Sequence, residues 1–155
     1  MRRFALIGIL LMTAALGVGC SDDNDDEVFE AILSGSNEVP ARATAANGRA
    51  HVILHGDTVS YSVEVDDITN LTVSHIHTAA AGTNGPVRVN LYTGGPVVTT
   101  ADKIVLAQGS FNSSGVTGIS YAQLISDIRA GNAYVNVHSQ TFPGGEIRGQ
   151  LRPVN

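Results

Sequence analysis

The chain has 155 residues, enough for one domain of ordinary size whose core needs no disulfide. It carries 9 Lys and Arg against 14 Asp and Glu, a formal net charge of −5, and shows no basic patch of the kind a nucleic-acid surface requires. Its one cysteine excludes an intrachain disulfide framework and any multi-cysteine zinc or iron–sulfur site.

Residues 1–20 read as an address. Arg2 and Arg3 precede an uncharged, mostly apolar stretch from Phe4 to Val18, and Gly19-Cys20 follows. That is the plan of a secretory signal peptide, with an apolar run too short for a comfortable membrane span of about 20 residues. Leu16-Gly17-Val18-Gly19-Cys20 looks like a lipobox, with Gly17 where a large aliphatic residue is usual. Cys20 is therefore expected to carry lipid and to anchor the protein to a membrane on the extracytoplasmic side. Ser21 is not the aspartate that often retains lipoproteins in an inner membrane. In an organism with two membranes the outer one is the expected destination. Residues 21–27 hold five acids and no apolar side chain, so they read as a flexible acidic tether. Residues 28–155 are expected to form the folded domain.

From Val28 onward the apolar residues alternate, the period of half-buried strands. Val28–Leu33 opens the series. Ala50–His55 and Val59–Val65 are joined by Gly56-Asp57 as a tight hairpin, with Val59, Tyr61, Val63 and Val65 expected inward. Leu71–His77, Pro86–Tyr92 and Ile104–Phe111 follow. Tyr121, Leu124, Ile125 and Ile128 then recur at helical spacing, with Ser120 placed to cap the helix and Gly131 to end it. Ala133–His138 and Glu146–Leu151 return to strand. About eight short strands and one short helix predict an all-β domain, an antiparallel immunoglobulin-like or Greek-key β-sandwich.

Five blocks stand in order along this pattern: Leu33-Ser34-Gly35-Ser36-Asn37-Glu38-Val39-Pro40, Ser74-His75-Ile76-His77, Gly82-Thr83-Asn84-Gly85-Pro86-Val87, Gly131 to Ser139, and Pro143 to Leu151. Together they resemble the CHRD domain, first described as a repeated module in chordin and also found singly in bacterial proteins. The resemblance runs from about Phe29 to Leu151. It implies an extracytoplasmic binding or structural module. Chordin's cysteine-rich modules are absent, so growth-factor binding does not carry over, and the extracytoplasmic ligand or partner stays unnamed.

The histidines are the one candidate for chemistry. His75 and His77 are two apart on a strand and so project together, and His138 ends another strand. Three imidazoles with an open position suit zinc or copper, with Glu146 or Glu38 available as an oxygen ligand. The competing expectation is a structural staple, in which rim histidines and Asn136, Ser139 and Glu146 tie loops together by hydrogen bonds. Leu71, Val73, His75 and His77 are expected on one face, apolar at its start and histidine at the rim of the core. With imidazoles near their ordinary pKa, metal binding is expected to weaken below about pH 6. His51 and His55 read as surface residues. Glu146 and Arg148 share a strand face and are expected to pair with each other or with neighbours. A copper/zinc dismutase needs further histidines, a zinc-ligating aspartate in a specific loop and a disulfide, and no Gly-x-Ser-x-Gly elbow is present, so no catalytic residues are assigned.

Overall fold

The computed structural model describes residues 26–154. The expected signal peptide, Cys20 and residues 21–25 of the acidic run lie outside the described residues. Ten strands are present: β1 (Glu27–Ser34), β2 (Asn47–His55), β3 (Thr58–Asp66), β4 (Ile68–Thr78), β5 (Val87–Tyr92), β6 (Val98–Thr100), β7 (Ile104–Phe111), β8 (Ala133–Ser139), β9 (Ile147–Gln150) and β10 (Arg152–Pro153). The helix α1 (Tyr121–Arg129) precedes β8. All eight strands expected from the alternation are there. The short β6 and β10 are additions, and β1 opens at Glu27, the last residue of the acidic run.

Every pairing is antiparallel, and the strands follow the order β5-β4-β8-β9-β1-β2-β3-β7, with β6 beside β4 and β10 beside β1. The expected sandwich is thus realised as one continuous sheet curled almost into a barrel, its two halves facing across a common core. Twist accumulates along an antiparallel sheet of this size and brings its ends together. Tyr61 closes the gap. Its ring lies over Gly109, its partner on β7, and its hydroxyl donates to the Leu91 carbonyl of β5 at 3.1 Å. Tyr61 is half-buried rather than inward, because its polar end must reach that carbonyl.

The core follows the period of two. Ala31 and Leu33 of β1, Ala50 and Val52 of β2, and Val59, Val63 and Val65 of β3 are buried. Gly56 and Asp57 make the two-residue turn between β2 and β3, where His55 pairs with Thr58. Ser120 caps α1 by accepting from the Gln123 N–H, and Leu124, Ile125 and Ile128 pack into the core while Gly131 follows the last turn. His51 and His55 lie at the surface, beside Glu30 and Asp26 respectively.

One expectation about phase fails. Leu71 is core, but a register shift on β4 between Leu71 and Val73 turns the strand over. Beyond it Ser74 and Ile76 face the core, while Val73, His75 and His77 occupy the outer face. A bulge inserts one extra residue and so exchanges the faces of everything after it. The histidines therefore stand on the opposite side of the sheet from the apolar core.

Val63 has no exposed surface. An unpaired charge there costs several kcal/mol against a domain stability of about 5–15 kcal/mol, so Val63→Asp is expected to abolish the cooperative thermal transition. Tyr61→Phe removes one hydrogen bond and is expected to cost about 1 kcal/mol, read as a small loss of melting temperature with the transition still cooperative.

Candidate metal centre

Strand β8 is buried at all seven of its residues. Ala133, Val135 and Val137 enter the core, and Tyr134, Asn136 and His138 face outward into a layer of polar side chains. The register fixes their neighbours. His75 of β4 stands opposite Asn136, which stands opposite Arg148 of β9, and His77 stands opposite Tyr134, which stands opposite Gln150. Three loops cover this layer: residues 35–46, residues 79–86 and residues 140–146. They are sewn down by the layer itself. Arg148 donates to Asn84 Oδ1 at 2.9 Å, Asn84 donates to the Val39 carbonyl at 2.9 Å, and Gln150 donates to the carbonyls of Ala79 and Gly131.

His75, His77 and His138 come together here. One ligand atom from each lies within 4.8 Å of the others. His77 and His138 are 7% and 8% exposed, and His75 is half-buried. His77 Nδ1 meets the Gly85 carbonyl at 2.9 Å, and His138 Nδ1 meets the Pro143 carbonyl at 3.0 Å. A carbonyl only accepts, so both Nδ1 atoms carry hydrogen and both lone pairs are at Nε2. His138 Nε2 faces His75 Nδ1 at 3.2 Å, and His77 Nε2 is buried without a hydrogen-bond partner in the protein.

Gly85 makes the first of these bonds available. A Cβ at Gly85 would fall 2.0 Å from the Thr78 carbonyl oxygen, so only glycine lets this loop lie so close to the end of β4. The Gly85 N–H donates to the Tyr134 hydroxyl at 3.0 Å, so one residue holds both His77 and Tyr134. The Tyr134 ring stacks on His77, with centroids 4.9 Å apart and planes 9° from parallel. The Arg148 guanidinium lies over the Tyr134 ring, 4.4 Å from its centroid.

Burial disfavours charge on all three imidazoles. Desolvation, aided by the neighbouring His138 and His77, lowers the His75 pKa to about 4. Desolvation also lowers those of His77 and His138, partly opposed by their carbonyl hydrogen bonds. Burial therefore favours the neutral form of all three rings. The expectation of imidazoles near their ordinary pKa is corrected here, since burial lowers all three.

Four other residues singled out in the sequence also enter the layer. Glu38, Asn136, Glu146 and Arg148 are all buried. Glu146 Oε1 accepts from the Thr44 hydroxyl at 2.7 Å, while Arg148 pairs with Asn84 and Tyr134, and no ion pair between Glu146 and Arg148 forms among the described residues. Desolvation raises Glu38 to about 7, against the pull of Arg148, Arg42 and the Val39 N–H. Neither carboxylate joins the group of converging ligand atoms. Sequence reasoning missed Tyr134, Thr44, Arg42 and the carbonyls of Gly85 and Pro143. The blocks Asn84-Gly85-Pro86 and Pro143-Gly144-Gly145 were the available signal, but main-chain acceptors leave no trace in side-chain chemistry.

These residues fall within a recognised family. The family model of the CHRD domain matches residues 29–151, most of the chain, and the chain belongs to that family. Domains of this family are generally binding or structural modules rather than enzymes. No curated protein and no solved structure matches the chain.

The raised pKa of Glu38 makes a stability prediction. Its folded value lies above the ordinary 4.5, so it takes up a proton on folding. That contribution is complete below about pH 4.5 and is lost as pH rises through about 7. Glu38→Gln cannot lose it, so melting of the variant relative to the parent is expected to improve steadily between pH 4.5 and pH 7. A difference that is flat over this range contradicts the assignment.

Proposed function

We propose that this chain, as a member of the CHRD family, is a non-catalytic module of the cell envelope that holds one zinc or copper ion between His75, His77 and His138. One observation supports this reading above the rest. Two rings spend Nδ1–H on main-chain carbonyls, which leaves their Nε2 lone pairs free within a group whose ligand atoms lie within 4.8 Å of one another. This is the outer-shell pattern that orients imidazole ligands in metal sites. Around a tetrahedral ion with metal–nitrogen bonds of about 2.0–2.1 Å, ligand nitrogens stand ~3.3 Å apart. His75 Nδ1 and His138 Nε2 are 3.2 Å apart.

Without an ion, that pair is a hydrogen bond, and His75 Nδ1 must carry the hydrogen. Binding then needs only a tautomer change at His75, from Nδ1–H to Nε2–H. His75 is the half-buried member of the trio, so it offers the route for this exchange. The staple and the metal ligand are thus two uses of one arrangement: the carbonyl bonds tie loops and aim lone pairs at once.

Location completes the proposal. We read Cys20 as the lipid anchor and the acidic residues 21–25 that follow as the tether that holds the domain away from the membrane. The basic start, apolar stretch and lipobox-like end of residues 1–20 support this. The partner is an extracytoplasmic ligand or protein, reached through the domain surface.

Metal binding is tested by melting chelator-treated protein with and without Zn²⁺ or Cu²⁺. An ion bound only by the folded state adds about 2.7 kcal/mol at a hundredfold excess over Kd. The parent is expected to shift upward and His77→Ala to remain in place. No shift in the parent overturns the metal reading. Because burial lowers the pKa of all three rings, the parent's shift is expected to fall off less at mildly acidic pH than it would for a site of ordinary histidines. For the anchor, Cys20→Ser is expected to release the protein from membranes or leave it unprocessed. Unchanged fractionation and migration overturn lipidation at that residue.

A further inference from the structure

We propose that Asn136 supplies the fourth donor of the histidine site, through Oδ1, and so biases it toward divalent zinc or copper over cuprous ion. This rests on the trio holding a metal, and goes on to name the ligand that completes it.

Asn136 is the central residue of the polar layer. It stands opposite His75 on one side and Arg148 on the other, and shares the outward face of β8 with Tyr134 and His138. It is 3% exposed, and its Oδ1 has no hydrogen-bond partner in the protein. Asparagine is disfavoured inside strands, and a buried amide oxygen left unmet costs about 1–3 kcal/mol. A valine at this register position would avoid both costs, so the amide answers to something other than packing.

Gly145 closes the layer above it. This residue has a φ of +121°, and a Cβ there would lie 2.7 Å from Asn136 Nδ2 and 2.8 Å from Oδ1. The glycine leaves room for the amide and seals it from solvent. Glu38 Oε1 and Glu146 Oε2 are also buried without partners. They are the rival oxygen donors, and Glu38 Oε1 meets the same Gly145 Cβ position at 2.7 Å; Asn136 is preferred on register, as the cross-strand neighbour of His75 two residues from His138.

The chemistry follows from donor hardness. Three imidazoles and one amide oxygen form a neutral set with a hard fourth member. Divalent ions accept such an oxygen, while cuprous ion gains little from it and prefers soft ligands. The amide adds no charge, so the bound ion keeps its full positive charge inside the layer.

Cobalt(II) reports the ligand count, since four-coordinate ions absorb visible light far more strongly than six-coordinate ones. The full chain is titrated with Co²⁺ and with Cu⁺, alongside Asn136→Ala and Asn136→Asp. We expect Asn136→Ala to lose about tenfold or more in Co²⁺ affinity, with visible bands shifted as water replaces the amide, and to keep its Cu⁺ affinity within about twofold. Asn136→Asp keeps the oxygen and adds a charge, so it should bind Co²⁺ more tightly than the parent with the strong spectrum retained. Co²⁺ bound equally by the parent and a folded Asn136→Ala, with the same spectrum, overturns the role of Asn136 and leaves the trio standing. No Co²⁺ bound by the parent overturns the trio and this inference together. Should Asn136→Ala not fold, Asn136→Asp decides: binding no tighter than the parent's overturns the proposal.

Discussion

The constraint on which this structure turns is that β8 is buried on both faces while its sequence alternates between apolar and polar residues. The apolar face needs only a core. The polar face needs partners, because an unmet buried polar group costs as much as several good contacts return. Loops 35–46, 79–86 and 140–146 are the answer. Their carbonyls and short polar side chains meet what β4, β8 and β9 present, and the layer in turn fixes the loops. Gly85 shows the economy of this: its N–H serves Tyr134 and its carbonyl serves His77.

The satisfaction is incomplete in an informative way. Among the described residues, six buried side-chain nitrogen or oxygen atoms lack a partner, and five of them belong to Glu38, Arg42, His77, Asn136 and Glu146. Native interiors hold few such groups, and these five stand in or beside one layer. The two readings of the histidines need not compete. Holding Nδ1 on a carbonyl is what makes a ring both a strut and an oriented donor.

Much of this was legible in the sequence. The strands and the helix declare themselves by period, because half-buried strands must alternate and a helix must repeat near 3.6. That His75 and His77 project together follows from their spacing alone. What the sequence concealed has two physical origins. The shift between Leu71 and Val73 inverts the face on which the histidines stand, and a bulge has no fixed residue signature. The cover over the polar face is built from loop main chain, whose donors and acceptors are the same in every residue. Tyr134 owes its place in the layer to Gly85 and Arg148, which its own strand does not reveal.

That tyrosine has an optical consequence. The chain has no tryptophan and 4 tyrosines, so its ultraviolet emission is tyrosine emission alone. One emitter lies flat against His77 and beneath the guanidinium of Arg148. Emission from a phenol ring is sensitive to charge at van der Waals distance, and the ring of His77 lies at that distance. The fold thus carries its own dye, seated against the group whose state it would report.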